Sequence, residues 1–359
     1  MQLEETLYLI LRIILFLAGF LLVTSTVIAA IKSFVLPRGI DVWLTRITFR
    51  TVHGLFHLRL SNSASYAERD RIMAFFAPFT LVLLPAIMLT LVLLGYALMY
   101  WAVSPMTAYE AFRLSGSSLL TLGYASNEAT IFKILEFSEA LLGLILIALL
   151  IAYLPTMYAA FSKRETAVAL LESYAGTPPM AVELIGRVYR TGELENLREF
   201  WVTWQIWFAE IEESHTSLSA LAFFRSPQPE RSWITAAGTV MDAAALMLST
   251  IDVHWEPRAA FCLRNGYLAL RQIANFFHLT YVADPQPDDP ISISKQEFDE
   301  VCDLLELQGV PLRTNRDKAW QDFAGWRVNY DTVLIKLANF TMAPYAPWSS
   351  DRSPVHMQD

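Results

Sequence analysis

Ser115-Gly116-Ser117-Ser118-Leu119-Leu120-Thr121-Leu122-Gly123-Tyr124-Ala125-Ser126 is a small, partly polar stretch between two long hydrophobic runs. Upstream, residues 72–103 contain no Asp, Glu, Lys or Arg, and downstream residues 140–161 contain none either. Each run is long enough to cross a bilayer as a helix. Between them, Ser104-Pro105 is a helix-start signal. Residues 106–120 then have room for a helix of about four turns, too short to cross. The 359-residue chain is 54% hydrophobic and 17% charged, with a mean hydropathy of +0.37. Soluble domains carry about a quarter charged residues, so the composition indicates a membrane class.

Charge divides the chain in two. Residues 1–162 hold 10 Lys/Arg against 9 Asp/Glu, and residues 163–359 hold 17 against 26. The second part therefore reads as an acidic soluble domain, which argues against nucleic acid as a partner. The first apolar run, 7–31, carries only Arg12, placed where it can snorkel to the headgroups. A signal peptide is the alternative; acidic Glu4 and Glu5 and the lack of a cleavage site favour a retained span. Residues 37–71 are a basic linker with Arg38, Arg46, Arg50, Arg59, Arg69 and Arg71, and excess Arg places it in the cytoplasm. Its apolar spacing suits an amphipathic helix on the inner leaflet; a plain connector is the competing reading. His53 and His57 share a helical face at i, i+4, but no third ligand is near. Lys163 and Arg164 mark the cytoplasmic end of the last span, which puts the N-terminus outside and the C-terminal domain inside.

The fold class expected is an all-α membrane protein with three transmembrane helices and an all-α cytoplasmic domain. Its parts are a peripheral helix (1–36), the basic linker (37–71), a helix–loop–helix domain (72–162), the helical domain (163–343) and a disordered tail (344–359). Breaks in the helical domain are expected at 176–179, 226–229, 256–257 and 284–290, and Ser294-Lys-Gln-Glu297 is a capping-box start. Leu197, Phe200, Trp201, Trp204, Trp207, Phe208 and Ile211 have the spacing of a buried helix face. Glu210, Glu213 and His215 read as a solvated face. Cys262 and Cys302 read as small buried hydrophobes. Neither a P-loop nor a dinucleotide fingerprint occurs, and no catalytic constellation argues for an enzyme.

Thr121-Leu122-Gly123-Tyr124 resembles the start of the filter of tetrameric potassium channels, Thr-Val-Gly-Tyr-Gly, and the span–short helix–filter–span order is similar to the two-transmembrane pore-loop ion channel superfamily. The resemblance covers residues 72–161. It implies a homotetramer in a lipid bilayer, with Thr121, Leu122, Gly123, Tyr124 and Ala125 lining an ion path. The permeant ion is potassium, with sodium the further candidate, and no cofactor or bound metal is implied. Ser118 and Glu139 would support the loop, Glu136 would lie near it, and Gly143 and Pro155 would serve gating, Pro155 alternatively ending the span. Alternating residues of such a filter need left-handed backbone, which glycine adopts without steric cost. Ala125 and Ser126 depart from the family, which has glycine and then an acid there. A left-handed alanine costs about 1 kcal/mol, so the departure bears on potassium selectivity. A non-conducting membrane signalling protein with a channel-derived fold is the second reading.

Overall fold

Helices account for nearly all of the regular structure. The computed structural model describes residues 2–36, 42–59, 66–192 and 194–352, and the only bridge among them pairs Ile251 with Leu312. Three helical stretches are long and apolar enough to cross a membrane: Glu4–Phe34, Tyr66–Val103 and Thr130–Ala175. The described residues of 1–60 and 75–158 form one unit, and those of 61–74 and 159–359 form another.

The first unit contains α1 (Gln2–Phe34) and α2 (Trp43–Arg59), and after α3 (Tyr66–Met73) it resumes with α4 (Phe76–Val103), α5 (Ala108–Leu119) and the first part of α6 (Thr130–Ala175). α1 and α4 run antiparallel. A Cβ on Gly19 would strike the Gly95 carbonyl, and one on Gly95 would sit 2.6 Å from Val23; small residues let two apolar backbones approach this closely. Arg12 Nε donates to the Ala102 carbonyl at 2.6 Å. It thus serves an orphan acceptor at the negative end of α4, which is a more specific partner than the headgroups expected for it. Outward-facing Leu7, Leu17, Ile134, Phe137 and Leu141 are each more than half exposed, the surface of a helix that meets lipid or another apolar chain.

In α2, Leu44, Thr48 and Val52 are buried, and the rings of Phe49, His53 and Phe56 lie 5.5–5.9 Å from Phe76. Trp43, Ile47, Leu55 and Leu58 are exposed on another side. His53 therefore packs on an aromatic ring, and the side chain of its expected companion, His57, lies outside the described residues. α3 departs from the linker reading. It belongs to the second unit, where Asp70 pairs with Arg225 at 3.5 Å and Arg225 donates to the Met342 carbonyl at 2.6 Å.

Helix α6 is 46 residues long and passes through both Gly143 and Pro155. At 1.5 Å per residue it is about 69 Å long, twice the hydrocarbon thickness. Pro155 does not end it. A proline removes one main-chain hydrogen bond, and the following residues, Lys163-Arg-Glu-Thr-Ala-Val-Ala-Leu-Leu-Glu172, include enough helix formers to carry the helix on. Arg164 is 3% exposed, so it does not reach headgroups; it donates to the Leu221 and Phe224 carbonyls, both at 2.8 Å.

The second unit continues with α7 (Ala181–Arg190), α8 (Arg198–Ser217), α9 (Trp233–Ser249), α10 (Pro257–Phe276), α11 (Lys295–Leu307), α12 (Arg316–Arg327) and α13 (Asp331–Thr341). Every residue of α9 is buried. A helix apolar around its whole circumference belongs at the centre of a domain, and α7, α10, α12 and α13 surround this one. Asp242 is its one charged residue, bonded to Arg327 Nη1 at 2.5 Å and to the Tyr330 hydroxyl at 2.8 Å. Burial raises the Asp242 carboxyl above the usual range, although Arg327 works against that shift. Arg327 also donates to Asp331 at 2.8 Å and to the Trp348 carbonyl at 2.5 Å. That last bond, with buried Ala346, Trp348 and Ser350, overturns the disordered-tail reading for 344–352; residues 353–359 lie outside the described residues. The Ser294–Glu297 capping box forms, and both cysteines are buried and free.

His215 is fully buried against Trp233, with ring centroids 4.6 Å apart, and not on a solvated face. Its Nε2 lies 3.3 Å from Arg164 Nη1. A guanidinium only donates, so Nε2 accepts and the imidazole is neutral. Burial first, and Arg164 second, hold its pKa well below 6.5. An unfolded chain protonates this histidine below pH 6.5 and the folded one does not, so stability is full above that pH and declines below it. Between pH 7.5 and 5.5 the wild type is expected to lose about 1.4 kcal/mol more than His215→Gln. Unfolding of the detergent-solubilised chain by tryptophan fluorescence checks this, since eight of the ten tryptophans lie beyond residue 200.

Candidate functional site

Helix α5 begins one turn of chain later than Ser104-Pro105 suggested. Thr107 is its cap: Thr107 Oγ1 accepts from Glu110 N–H at 3.2 Å, and the Glu110 carboxylate accepts from Thr107 N–H at 2.8 Å. The signature Thr107-Ala-Tyr-Glu110 was present in the sequence and is the stronger start signal.

At its other end α5 closes with a Schellman motif. Leu122 N–H donates to the Ser117 carbonyl at 2.8 Å, and Thr121 N–H to the Ser118 carbonyl at 3.0 Å. This places Thr121 in the left-handed region at φ 54°. Glycine normally fills that position, and a β-branched residue there is an outlier that costs about 1–2 kcal/mol. Gly123 follows at φ 70°. Residues 121 and 123 thus have the left-handed backbone, whereas Ala125 does not, so the strain expected at Ala125 lies at Thr121.

Ala125 is instead held by Ser117. Its N–H donates to Ser117 Oγ at 2.9 Å, and the same hydroxyl donates to its carbonyl at 3.0 Å. The N–H groups of Thr121, Leu122 and Ala125 are thereby used inward. The carbonyls of Thr121, Leu122, Gly123 and Tyr124 accept no hydrogen bond among the described residues, and Leu122 and Tyr124 are each 60% exposed. The segment presents four carbonyl acceptors and turns the N–H groups of Thr121, Leu122, Gly123 and Ala125 inward, a polarity suited to a cation.

Two carboxylates of α6 brace this segment. Glu139 is completely buried; its oxygens lie 2.5 Å from Ser115 Oγ on α5 and 2.9 Å from the Tyr100 hydroxyl on α4. Glu136 accepts from Asn127 N–H at 2.9 Å and from Ser126 Oγ at 3.3 Å, and Lys133 Nζ bonds to Ser126 Oγ at 2.5 Å. Ser126 therefore lies between an acid and a base from α6. Ser118, singled out from the sequence, gives its main-chain carbonyl to the turn, and its side chain interacts with the Tyr100 hydroxyl. Ser115 and Ser117, one helical position to either side of Gly116, act beside it, together with Tyr100 and Lys133. Sequence reasoning missed these four because nothing local says which serine faces inward. Gly143 lies against the end of α5, where a Cβ would run into the Leu119 carbonyl oxygen. Its visible role is this close approach. Among the described residues no three His, Cys, Asp or Glu side chains are placed to hold a metal ion.

Comparison of the chain with protein-family models, with curated proteins and with solved structures finds no match.

Gly143→Ala is expected to cost about 1–3 kcal/mol by overpacking and to loosen the 121–126 turn. A lower melting temperature in detergent, with faster amide exchange at 121–126 than at 76–103, checks it; an unchanged melt would mean the contact is not tight.

Proposed function

We propose that the chain is one subunit of a homotetrameric channel for monovalent cations. In this reading residues 108–126 form a re-entrant pore loop, the N-terminal part of α6 lines the path, α1 packs at the periphery, and the second unit is a cytoplasmic assembly or gating domain. The observation that carries the reading is Thr121 in a left-handed conformation. A helix terminator gains nothing from threonine there, because glycine or asparagine fits without strain. Backbone strain of this kind persists where surrounding structure imposes it and is concentrated at functional sites. A hydroxyl and a carbonyl at one residue are what a dehydrated cation needs at the inner end of a filter. Irregular backbone at membrane depth is tolerated only inside protein or along a water-filled path, and the 12 residues of α5, about 18 Å long, cannot cross.

A second reading, a non-conducting membrane signalling protein, is favoured by the Ala125 carbonyl, which Ser117 already occupies. One experiment separates the two. The full chain is reconstituted in liposomes, and potassium and sodium flux are measured. Flux of both ions, with potassium only modestly preferred, is expected; no flux of either favours the signalling reading. Thr121→Gly sharpens the test. It should raise stability by about 1 kcal/mol and lower flux at least tenfold. A variant that is more stable and conducts normally would remove Thr121 from the ion path.

A further inference from the structure

The second unit contains an open cleft of about 1010 Å³, lined by the connection 287–293, the start of α11, one side of α12 and Trp255. Ligand sites for drug-sized molecules reach this size and combine aromatic walls with a few placed polar groups. Here the aromatic walls are Trp255, Trp320 and Trp326. Trp255 is 58% exposed, an unusual place for a large apolar ring without a ligand or partner. Trp320 rests on the core through Phe298, with ring centroids 5.4 Å apart, so its position is fixed.

The charges sort into used and unused. Lys295 pairs with Asp317, and Lys318 pairs with Asp322 at 2.8 Å. Asp289 accepts from Gln286 N–H at 2.8 Å. Arg313 and Asp288 line the same cleft, and their side chains have no partner among the described residues. Arg313 is half-buried, and its main chain is anchored through its N–H to the Thr250 carbonyl at 2.9 Å, beside the Ile251–Leu312 bridge. A guanidinium on an anchored main chain and without a carboxylate calls for an anion, and indole rings in the same cleft call for a planar ring. A free carboxylate calls for hydroxyl donors.

We propose that this cleft binds a ribonucleotide, with its base on the indoles, its phosphate on Arg313 and its ribose hydroxyls on Asp288. Inorganic phosphate alone leaves the tryptophans unused, a neutral sugar leaves Arg313 unused, and a small aromatic acid leaves most of the volume empty. The inference concerns the second unit only and holds whether or not the chain conducts ions.

The test uses the purified full chain in detergent, titrated calorimetrically with ATP and GTP, and with adenosine and inorganic phosphate as partial ligands. Saturable binding of ATP or GTP, accompanied by a change in tryptophan fluorescence, is expected. Adenosine should bind at least tenfold more weakly, and phosphate should give no saturable signal. Arg313→Gln and Trp255→Ala should each weaken binding about tenfold or more with an unchanged melting temperature, and Asp288→Asn should narrow the preference for ATP over its 2′-deoxy form. No saturable binding of either nucleotide at millimolar concentration would overturn the proposal. So would equal affinity for ATP and adenosine, or full affinity in Arg313→Gln, a variant at a site that carries no side-chain contact needed for folding.

Discussion

A carboxyl group with no exposed surface holds the first unit together. Glu139 projects from α6 and meets Ser115 of α5 and Tyr100 of α4 with its two oxygens. A buried polar group without partners costs several kcal/mol, and one with both oxygens satisfied instead specifies how its neighbours dock. The pair of bonds sets where α5 lies along α6. Four residues later, Gly143 lets the end of α5 touch the α6 backbone. Three residues before Glu139, Glu136 takes the chain after the turn. One helical face, 136–139–143, therefore positions the start, end and exit of the segment that carries Thr121.

The positions of the three apolar helices were legible in the sequence because hydrophobic span is a local property, whereas the continuation of α6 to Ala175 was not. So were the Ser294 cap, the buried face of α8 and the break at each proline cluster. The site was legible in outline, as a short helix and a turn between two long ones. Its bracing was not. Three serines fall within four residues, and which partner each one meets depends on where Glu139, Ala125 and Tyr100 lie in space. His215 and Arg164 look like surface residues beside acidic neighbours; only the docking of the 221–224 connection buries them. The last described residues, 344–352, are rich in proline and serine, which usually indicates a loose tail. Their order depends on Arg327, a residue in another helix.

Four arginines of the second unit, Arg164 and Arg327 buried and Arg225 and Arg271 half-buried, share a task. Arg164 donates to Leu221 and Phe224 carbonyls, Arg225 to Met342, Arg271 to Ala283 and Asn329, and Arg327 to Trp348. Each acceptor lies in a connection or near a helix end, where intrahelical donors run short; the Leu221 carbonyl also takes the Phe224 N–H. A domain built without sheets has no strand ladder to satisfy such carbonyls, and a guanidinium offers five donors in a rigid fork. The acids at Asp242 and Asp331 then offset the charge that two buried ends require. The polar core of this domain is thus a consequence of its all-helical composition.

Ion preference in the proposed pore turns on Ser117 more than on the side chain at 125. In the potassium-channel filter that the motif resembles, a glycine at that position would provide a left-handed residue and hence another carbonyl toward the ion. In this chain the Ala125 backbone is outside the left-handed region, and both its polar groups are taken by one serine hydroxyl. A glycine at 125 would relieve no strain there, because none is present, and would leave both bonds intact. Four carbonyls, Thr121 to Tyr124, accept no hydrogen bond among the described residues. Selection between potassium and sodium depends on the number and arrangement of the oxygens that replace water. Removing one ring of oxygens weakens that selection while leaving a cation-attracting path, so a serine in the short helix, and not the alanine of the motif, is the residue that would set the discrimination.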